Sequence, residues 1–554
     1  MNSLDARAFG RKCWLVIGTL LLAGANTALR AQSNWTTYGG SDWNQRWSNL
    51  KQITTRNVGS LVPRMVIQTG TKPGSFENTP IVVGDTMYVT TPYNDAVFAY
   101  DLAKKKEIWR FGYKLAPATY CCGPNNRGVA IADGKVFFGT LDGHLVALDA
   151  GTGKQAWDTE VAPADSSYSI TAAPLVVGQN VVVGVSGGEY GIRGHLDAVD
   201  IATGKPAWRW YSIPAPGDDS TAPNGWWGTW APKAEEADLH RDIAREKADS
   251  AKYPDAWKQG GGGVWMTPAY DKELNLLYFT VGNPSPDLDG SVRPGDNLFT
   301  DCIVAVDAAT GKTRWHYQVV PHDVWDLDQT SPPVVMTLNG QKVVVQAGKT
   351  AWMYVLDAKT GKLIRKTENF TPQKNMFALP TPEGTLMLPG ANGGSEWSPI
   401  SVDPNLHYAY VAGLNQPMLY KVHPAPYEKG RLWLGSAFNL APGASQNGTF
   451  TAIDLSTGKI AWQNQMEEPM MGGSVVTAGG LVFTGEGNGN FNAFDAKTGK
   501  LLWQFNGGAG CNAAPISFEW HGEQMIAVAC GGNFQLGYPL GGAVFVFGLP
   551  KQGS

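Results

Sequence analysis

One phrase recurs along this chain and limits what it can become: three small or apolar residues, an Asp, a short turn, Gly-Lys, two residues and a Trp. It reads FAYDLAKKKEIW at Asp101 and Trp109, VALDAGTGKQAW at Asp149 and Trp157, and DAVDIATGKPAW at Asp200 and Trp208. It returns as VAVDAATGKTRW at Asp307 and Trp315, TAIDLSTGKIAW at Asp454 and Trp462, and NAFDAKTGKLLW at Asp495 and Trp503. A seventh copy, YVLDAKTGKLIR at Asp357, carries Arg365 where the others have Trp. The alternating apolar residues make a strand, Asp with Thr-Gly-Lys makes the turn, and the next strand opens with Trp. A hairpin of this kind cannot bury its own face, so the copies must stack on one another. The Asp-to-Asp steps are 48, 51, 107, 50, 97 and 41 residues, and the two long ones hold either a degenerate copy or an insertion. Radial closure of four-stranded units gives a β-propeller and removes the sheet edges of an open array. Seven units, with an eighth completed by the two termini, predict an all-β, eight-bladed propeller.

Composition agrees. The 554 residues include 67 Gly and 21 Trp and only 17% charged residues, which suits short strands and tight turns and excludes a helical bundle or coiled coil. A net charge of −4 supplies no basic field for nucleic acid. Near the N-terminus, Arg11 and Lys12 precede the apolar WLVIGTLLLAGA and the small-residue ALRA. Residues 1–31 therefore read as a cleavable export signal, and 32–554 as one propeller domain. The apolar run is shorter than the roughly 20 residues of a spanning helix, so no transmembrane anchor is expected. Export leads to an oxidising compartment that permits disulfides, and Cys511 and Cys530 can pair between neighbouring strands of one blade. No C-x-x-C-H motif attaches a haem, and no C-x-x-C pair suggests zinc. The Ala-rich, charged stretch at about 231–258 predicts a helical insertion projecting from a blade.

Propeller loops gather around the central channel, so the polar stretches between repeats are the candidates for chemistry. CCGPNNRG places Cys121 beside Cys122, either as a strained pair or as two buried thiols, with Arg127 close behind. GVSGGEYGIRG offers Gly187 and Gly188, which let backbone approach a ligand, next to the carboxylate of Glu189. GGGGVWMTPAYD presents Trp265 as a platform for a planar ligand or as core filler. VGNPSPD holds Asn283 ahead of a proline, and PHDVWDLDQ packs Asp323, Asp326 and Asp328 together. Three carboxylates this close repel unless something positive sits among them. With Glu189 and Asn283 they form an all-oxygen set suited to a hard cation such as calcium. His322 alone makes no zinc or copper site.

These stretches resemble the quinoprotein alcohol dehydrogenases, eight-bladed propellers that use pyrroloquinoline quinone (PQQ) and one metal ion, and the likeness runs through 32–554. The marks are Cys-Cys followed by NRG, GGE-x-G-x-RG, GGG-x-x-W, GNPSP, RPGDN and PHD-x-WD. The resemblance implies that Cys121 and Cys122 form a vicinal disulfide against one face of the quinone, with Trp265 stacked on the other. It places Glu77, Arg127, Thr171, Ser186, Gly187 and Gly188 on the cofactor's polar rim, and Lys349 beside the quinone oxygens as the residue that polarises them. Glu189, Asn283 and Asp326 are implied metal ligands, and Asp326 the general base during hydride transfer to PQQ. Asp328, two residues after that base, is similar to a carboxylate of lanthanide-using members and favours a lanthanide over calcium, although sugar dehydrogenases that use divalent ions share the spacing.

The implied activity is oxidation of alcohols to aldehydes in the periplasm, with electrons passed to a separate, soluble cytochrome c; a homodimer is left open. Departures bear on the substrate. Gly263 stands where Thr is common, Met471 where many members place a Trp, and ACGGNFQLGYPLGG lacks a further Trp, which implies a wider or differently shaped pocket. A PQQ-dependent aldose or polyol dehydrogenase is the alternative enzyme, and a non-catalytic propeller scaffold the alternative outside enzymes.

Overall fold

The computed structural model describes residues 34–551 apart from 71, 73, 94, 95 and 236, so the expected export signal lies outside the described residues. Eight four-stranded antiparallel blades form the fold, one of them with a short extra strand. Seven open, in chain order, at Ile81, Ala130, Leu175, Ala269, Val334, Ser401 and Ser474. The eighth takes Ile516–Trp520, Glu523–Cys530 and Ala543–Gly548 from the C-terminal end and Val62–Gln68 from the N-terminal end. Val62–Gln68 runs antiparallel to Ala543–Gly548, so the two ends of the chain close the ring together, as the repeat count predicts. The opening strands of neighbouring blades touch one another, which places them nearest the axis.

The repeated phrase is the fastener between blades. Asp200 accepts from the backbone N–H and the hydroxyl of Thr203, 2.8 and 2.7 Å away, and so shapes the turn of the third blade. Trp157 of the second blade lies over that turn and donates its indole N–H to the Ile201 carbonyl at 3.2 Å. Trp109, Trp208, Trp315 and Trp462 repeat the contact on Ala150, Ala308, Ala358 and Ala496. Glycine is required under the ring: Gly499 has φ +73°, and a Cβ there would meet Trp462 ring atoms at 2.6 Å. Trp503 crosses the seam, donating to Leu61 at 3.2 Å. Arg365 serves the same place by donating to the Thr457 carbonyl at 2.9 Å, which explains how the fifth blade dispenses with Trp.

The long steps in the repeat are insertions rather than hidden copies. One lies between the third and fourth blades (212–268); the other step is filled before the sixth blade (367–400) and inside it (416–446). The expected helix over 231–258 is only partly formed. Residues Lys233–Ala234 and Ala237–Asp238 make a small hairpin, and the α-helix is limited to Ile243–Asp249, capped by Asp242. Pro254 prevents its extension, and the buried Arg241, paired with Asp296 at 2.7 Å and Glu246 at 2.6 Å, ties the segment down. Cys511 and Cys530 are disulfide-bonded, but Cys511 lies in the connection between the seventh and eighth blades, not in a strand. Cys302 is a buried free thiol. No helix among the described residues is long and apolar enough to cross a membrane.

Candidate active site

In an antiparallel blade the start of the opening strand and the end of the second strand lie at the same edge. The functional side chains stand in these two places. Glu77, Thr171 and Trp265 each precede the opening residue of a blade by four positions, and Arg127 by three. Ser186 to Glu189, Asn283 and Lys349 follow the second strands that end at Gly184, Thr280 and Ala347. The antiparallel meander therefore delivers them to one face of the ring, where they line a cavity of about 370 Å³. Glu77, Cys121, Cys122, Arg127, Thr171, Ser186, Gly187, Gly188, Glu189, Trp265, Asn283, Asp326, Asp328 and Lys349 all reach it. Cys121 and Cys122 are joined as a vicinal disulfide.

One side of the cavity is a set of donors. The buried Arg127 pairs with Glu77 at 2.7 Å and lies over the Trp265 and Trp397 rings, 5.2 and 4.8 Å from their centroids. Its Nε and Nη1 have no partner, so three N–H groups on two nitrogens remain for an acceptor. Burial pushes Glu77 up to about 7 against the pull of Arg127. Asn533 donates to Glu77 at 3.0 Å and touches the Met471 sulfur at 3.4 Å. Met471 itself is buried in the cluster with Trp265 and Trp397 and does not line the cavity.

The other side is acidic. Lys349 donates to Asp326 at 2.9 Å and to Asp328 at 2.7 Å, with Glu396 at 4.0 Å. Asp328 also accepts from the Asn283 N–H at 2.7 Å, joining four of these residues into one cluster. Asp326 has φ +60°, a strained value for a side-chain-bearing residue. Burial raises its pKa well above the usual carboxylate range while Lys349 opposes the rise. Glu189 is pushed up to about 7, chiefly by burial and further by Asp328. Six carboxylates (Glu77, Glu189, Asp287, Asp326, Asp328 and Glu396) line the cavity against two cations, Arg127 and Lys349. That imbalance fits a multivalent cation, and the unpartnered guanidinium N–H groups beside a flat indole fit a planar polyacid. Lys349 is bonded to both Asp326 and Asp328, and the Glu189 carboxylate lies within 4.8 Å of both sulfurs of the Cys121–Cys122 disulfide, which offers no thiolate to a metal.

Asp323 stays outside the cavity. It accepts from the Trp325 and Leu327 N–H groups, both at 2.8 Å, and thereby folds the loop that presents Asp326. Residues missed by the sequence reading are Asp287, Glu396, Trp397, Gln416 and an apolar rim of Leu432, Leu434, Phe438 and Leu440. Trp397 stands four positions before the sixth blade, the offset shared with Glu77, Thr171 and Trp265, so blade-to-blade spacing was a usable signal for it. The rim comes from an insertion that carries no repeat.

The chain matches the family described as glucose/ethanol/alcohol dehydrogenase, β-propeller domain (PQQ), over residues 35–376 and 423–526. It is 36% identical over 536 residues to quinohemoprotein alcohol dehydrogenase ADH IIB of Pseudomonas putida, covering 91% of this chain and 74% of that one. It is 36% identical over 524 residues to the lanthanide-dependent methanol dehydrogenase of Methylacidiphilum fumariolicum, covering 87% and 82%. The solved structure of a europium-containing methanol dehydrogenase superposes with a TM-score of 0.81 at 32% identity, covering 94% of this chain and 98% of that one.

Proposed function

Because this chain belongs to the PQQ-dependent alcohol dehydrogenase family, we propose that it oxidises alcohols to aldehydes in the cavity at the propeller axis, with Asp326 as general base. When bound there, PQQ supplies the acceptor of two electrons and a hydrogen, and a metal ion beside it supplies the polarising charge. The chain does the rest. Arg127, Thr171 and Ser186 hold acidic and carbonyl groups, and Trp265 and the Cys121–Cys122 disulfide bound the space for a flat ring. With a cation present, Glu189, Asn283, Asp326 and Asp328 would supply its ligands, and the extra carboxylate of Asp328 would favour a trivalent lanthanide over calcium. Asp326 takes the proton of the substrate hydroxyl. Lys349 opposes the upward pKa shift that burial imposes on that carboxylate and adds positive charge where negative charge develops. Electrons then pass to a separate cytochrome c in the periplasm.

The observation that carries this reading is the Lys349 ammonium bonded to both Asp326 and Asp328 inside a buried, acid-rich cavity. The test is reconstitution with PQQ plus calcium or lanthanum, with dye reduction followed on primary alcohols, polyols and aldoses. PQQ- and metal-dependent turnover of alcohols is expected. Turnover of aldoses alone, or none with either ion, overturns the proposal.

A further inference from the structure

Asp287 has no role in the account above, yet it is the most isolated acid in the cavity. It is 0% exposed, it lines the cavity, and neither carboxylate oxygen has a hydrogen-bond partner. The nearby cations are committed elsewhere. Lys349 is taken by Asp326 and Asp328. Arg293 spends its N–H groups on the Pro286 carbonyl, the Asn297 side chain, and the backbone carbonyls of Asp287 and Asp323. A buried carboxyl group left without any partner is costly, so its partner is expected to arrive with a ligand.

Position decides which ligand. The cluster of Lys349, Asp326, Asp328 and Asn283 is knit by direct hydrogen bonds, and Asp287 takes part in none of them. The next residue, Leu288, instead donates its N–H to the Leu434 carbonyl at 2.8 Å, and Leu434 belongs to the apolar rim of the cavity. Asp287 thus lies between the rim segment and the acidic cluster, close enough to Glu189, Asp328 and Asp326 for their charges to interact. A molecule whose reacting hydroxyl sits at Asp326 extends from there toward the rim, past Asp287.

We propose that Asp287 is a specificity-determining residue that receives a second hydrogen-bond-donating group of the substrate, a hydroxyl or an ammonium, so that the preferred alcohols carry such a group besides the hydroxyl that reacts. The proposal rests on the alcohol-oxidising reading of the site. A monohydric alcohol brings no donor to Asp287 beyond its reacting hydroxyl, whereas a diol or amino alcohol satisfies it.

The experiment compares propane-1,3-diol and 3-aminopropan-1-ol with propan-1-ol on the holoenzyme, for the wild type, Asp287→Leu and Asp287→Asn. The readout is the ratio of kcat/KM for the donor-bearing alcohol to that for propan-1-ol. At least one ratio falls about 10- to 100-fold in Asp287→Leu, as expected for the loss of one buried hydrogen bond to an acid. A hydroxyl partner shows as a diol ratio largely kept by Asp287→Asn; an ammonium partner shows as an amino alcohol ratio that Asp287→Asn also loses. Ratios equal in wild type and Asp287→Leu overturn the proposal. So does a marked loss of terbium affinity in Asp287→Asn, measured by luminescence titration, because it makes Asp287 a cation ligand instead. If the wild type turns over none of the three compounds, the alcohol-oxidising reading falls, and the shift in unfolding temperature at saturating compound decides separately. A shift specific to the diol or amino alcohol and lost in Asp287→Leu upholds the role of Asp287, and equal shifts reject it.

Discussion

Replacing Lys349 with methionine, which keeps the unbranched chain and removes the charge, tests the electrostatic core of the site. The Lys349 side chain is 4% exposed and bonded to Asp326 and Asp328, whose side chains are 11% and 6% exposed. Removing one partner of a buried ion pair strands the others, at a cost of about 3–5 kcal/mol. Unfolding a chain of this size carries an entropy of roughly 1.1 kcal/mol per kelvin, so the apoprotein should melt about 3–5 °C lower at pH 9, where these acids are ionised. The loss must depend on pH. Lys349 lowers the pKa of Asp326, Glu189, Asp287 and Glu396 against burial, so Lys349→Met raises all four further. A folded-state pKa above the unfolded value of about 4 means that the native state holds protons the unfolded chain has released. Both proteins lose stability as pH rises past about 4, but the gap between them opens only above the wild type's own raised folded-state values, about 7 for Glu189, so it is small at pH 5 and wide at pH 9. Calorimetry of both proteins across this range is the assay, with Lys349→Arg as the charge-retaining control. A gap of equal size at pH 5 and pH 9 would show that lost packing, not stranded charge, is responsible, and no gap at pH 9 would refute the coupling altogether.

Asp326→Asn should keep the absorbance of bound PQQ yet lose dye-linked turnover by about 10²- to 10⁴-fold, the usual worth of a general base. Asp328→Ala should lose lanthanum-supported turnover more than calcium-supported turnover, and equal use of lanthanum by variant and wild type rejects the trivalent-ion role. Trp462→Ala should cost about 3–5 kcal/mol in chemical unfolding, since it empties the space over the Gly499 turn of the next blade. Cys511→Ala with Cys530→Ala removes a cross-link of sequence separation 19 and should cost about 3 kcal/mol, read against the wild type with and without reductant.

The ring was legible in the sequence because most blades repeat the same local arrangement: an Asp-shaped turn, a glycine with no Cβ, and a Trp from the preceding blade over it. Periodicity of that kind survives as spacing. Arg365 shows its limit, since a guanidinium can replace an indole at the same contact while erasing the letter that marks it. The cavity residues in glycine-rich or acidic motifs, such as Glu189 and Asp326, were legible for their composition, whereas Glu77 and Lys349 were legible only through family likeness. Asp287 was hidden in a quoted motif because its isolation is a property of the folded surroundings. Leu432 and Phe438 come from an insertion with no repeat, and nothing local announces that it will fold back over the axis. The helix over 231–258 was overextended because Ala-rich composition speaks for helix while Pro254 and the pinned Arg241 set its real bounds.

The closing seam of the ring runs through the site itself. Glu77 lies near the N-terminal end and Asn533 near the C-terminal end, yet the two are bonded at 3.0 Å, and Arg127 completes the group. That contact exists only once Val62–Gln68 has paired with Ala543–Gly548 and Trp503 has reached Leu61. Buried groups there, Arg127 with Nε and Nη1 unpartnered and Glu77 pushed up to about 7, are unfavourable as they stand, and a ligand that accepts from the guanidinium relieves them. Any ligand that binds this assembled group and not the open chain stabilises the closed ring by RT ln(1 + [L]/Kd), about 2.7 kcal/mol at a hundredfold excess over Kd. Cofactor binding and closure of the propeller are therefore two views of one equilibrium, and a lesion at the seam, far from Asp326, weakens the site as surely as a lesion within it.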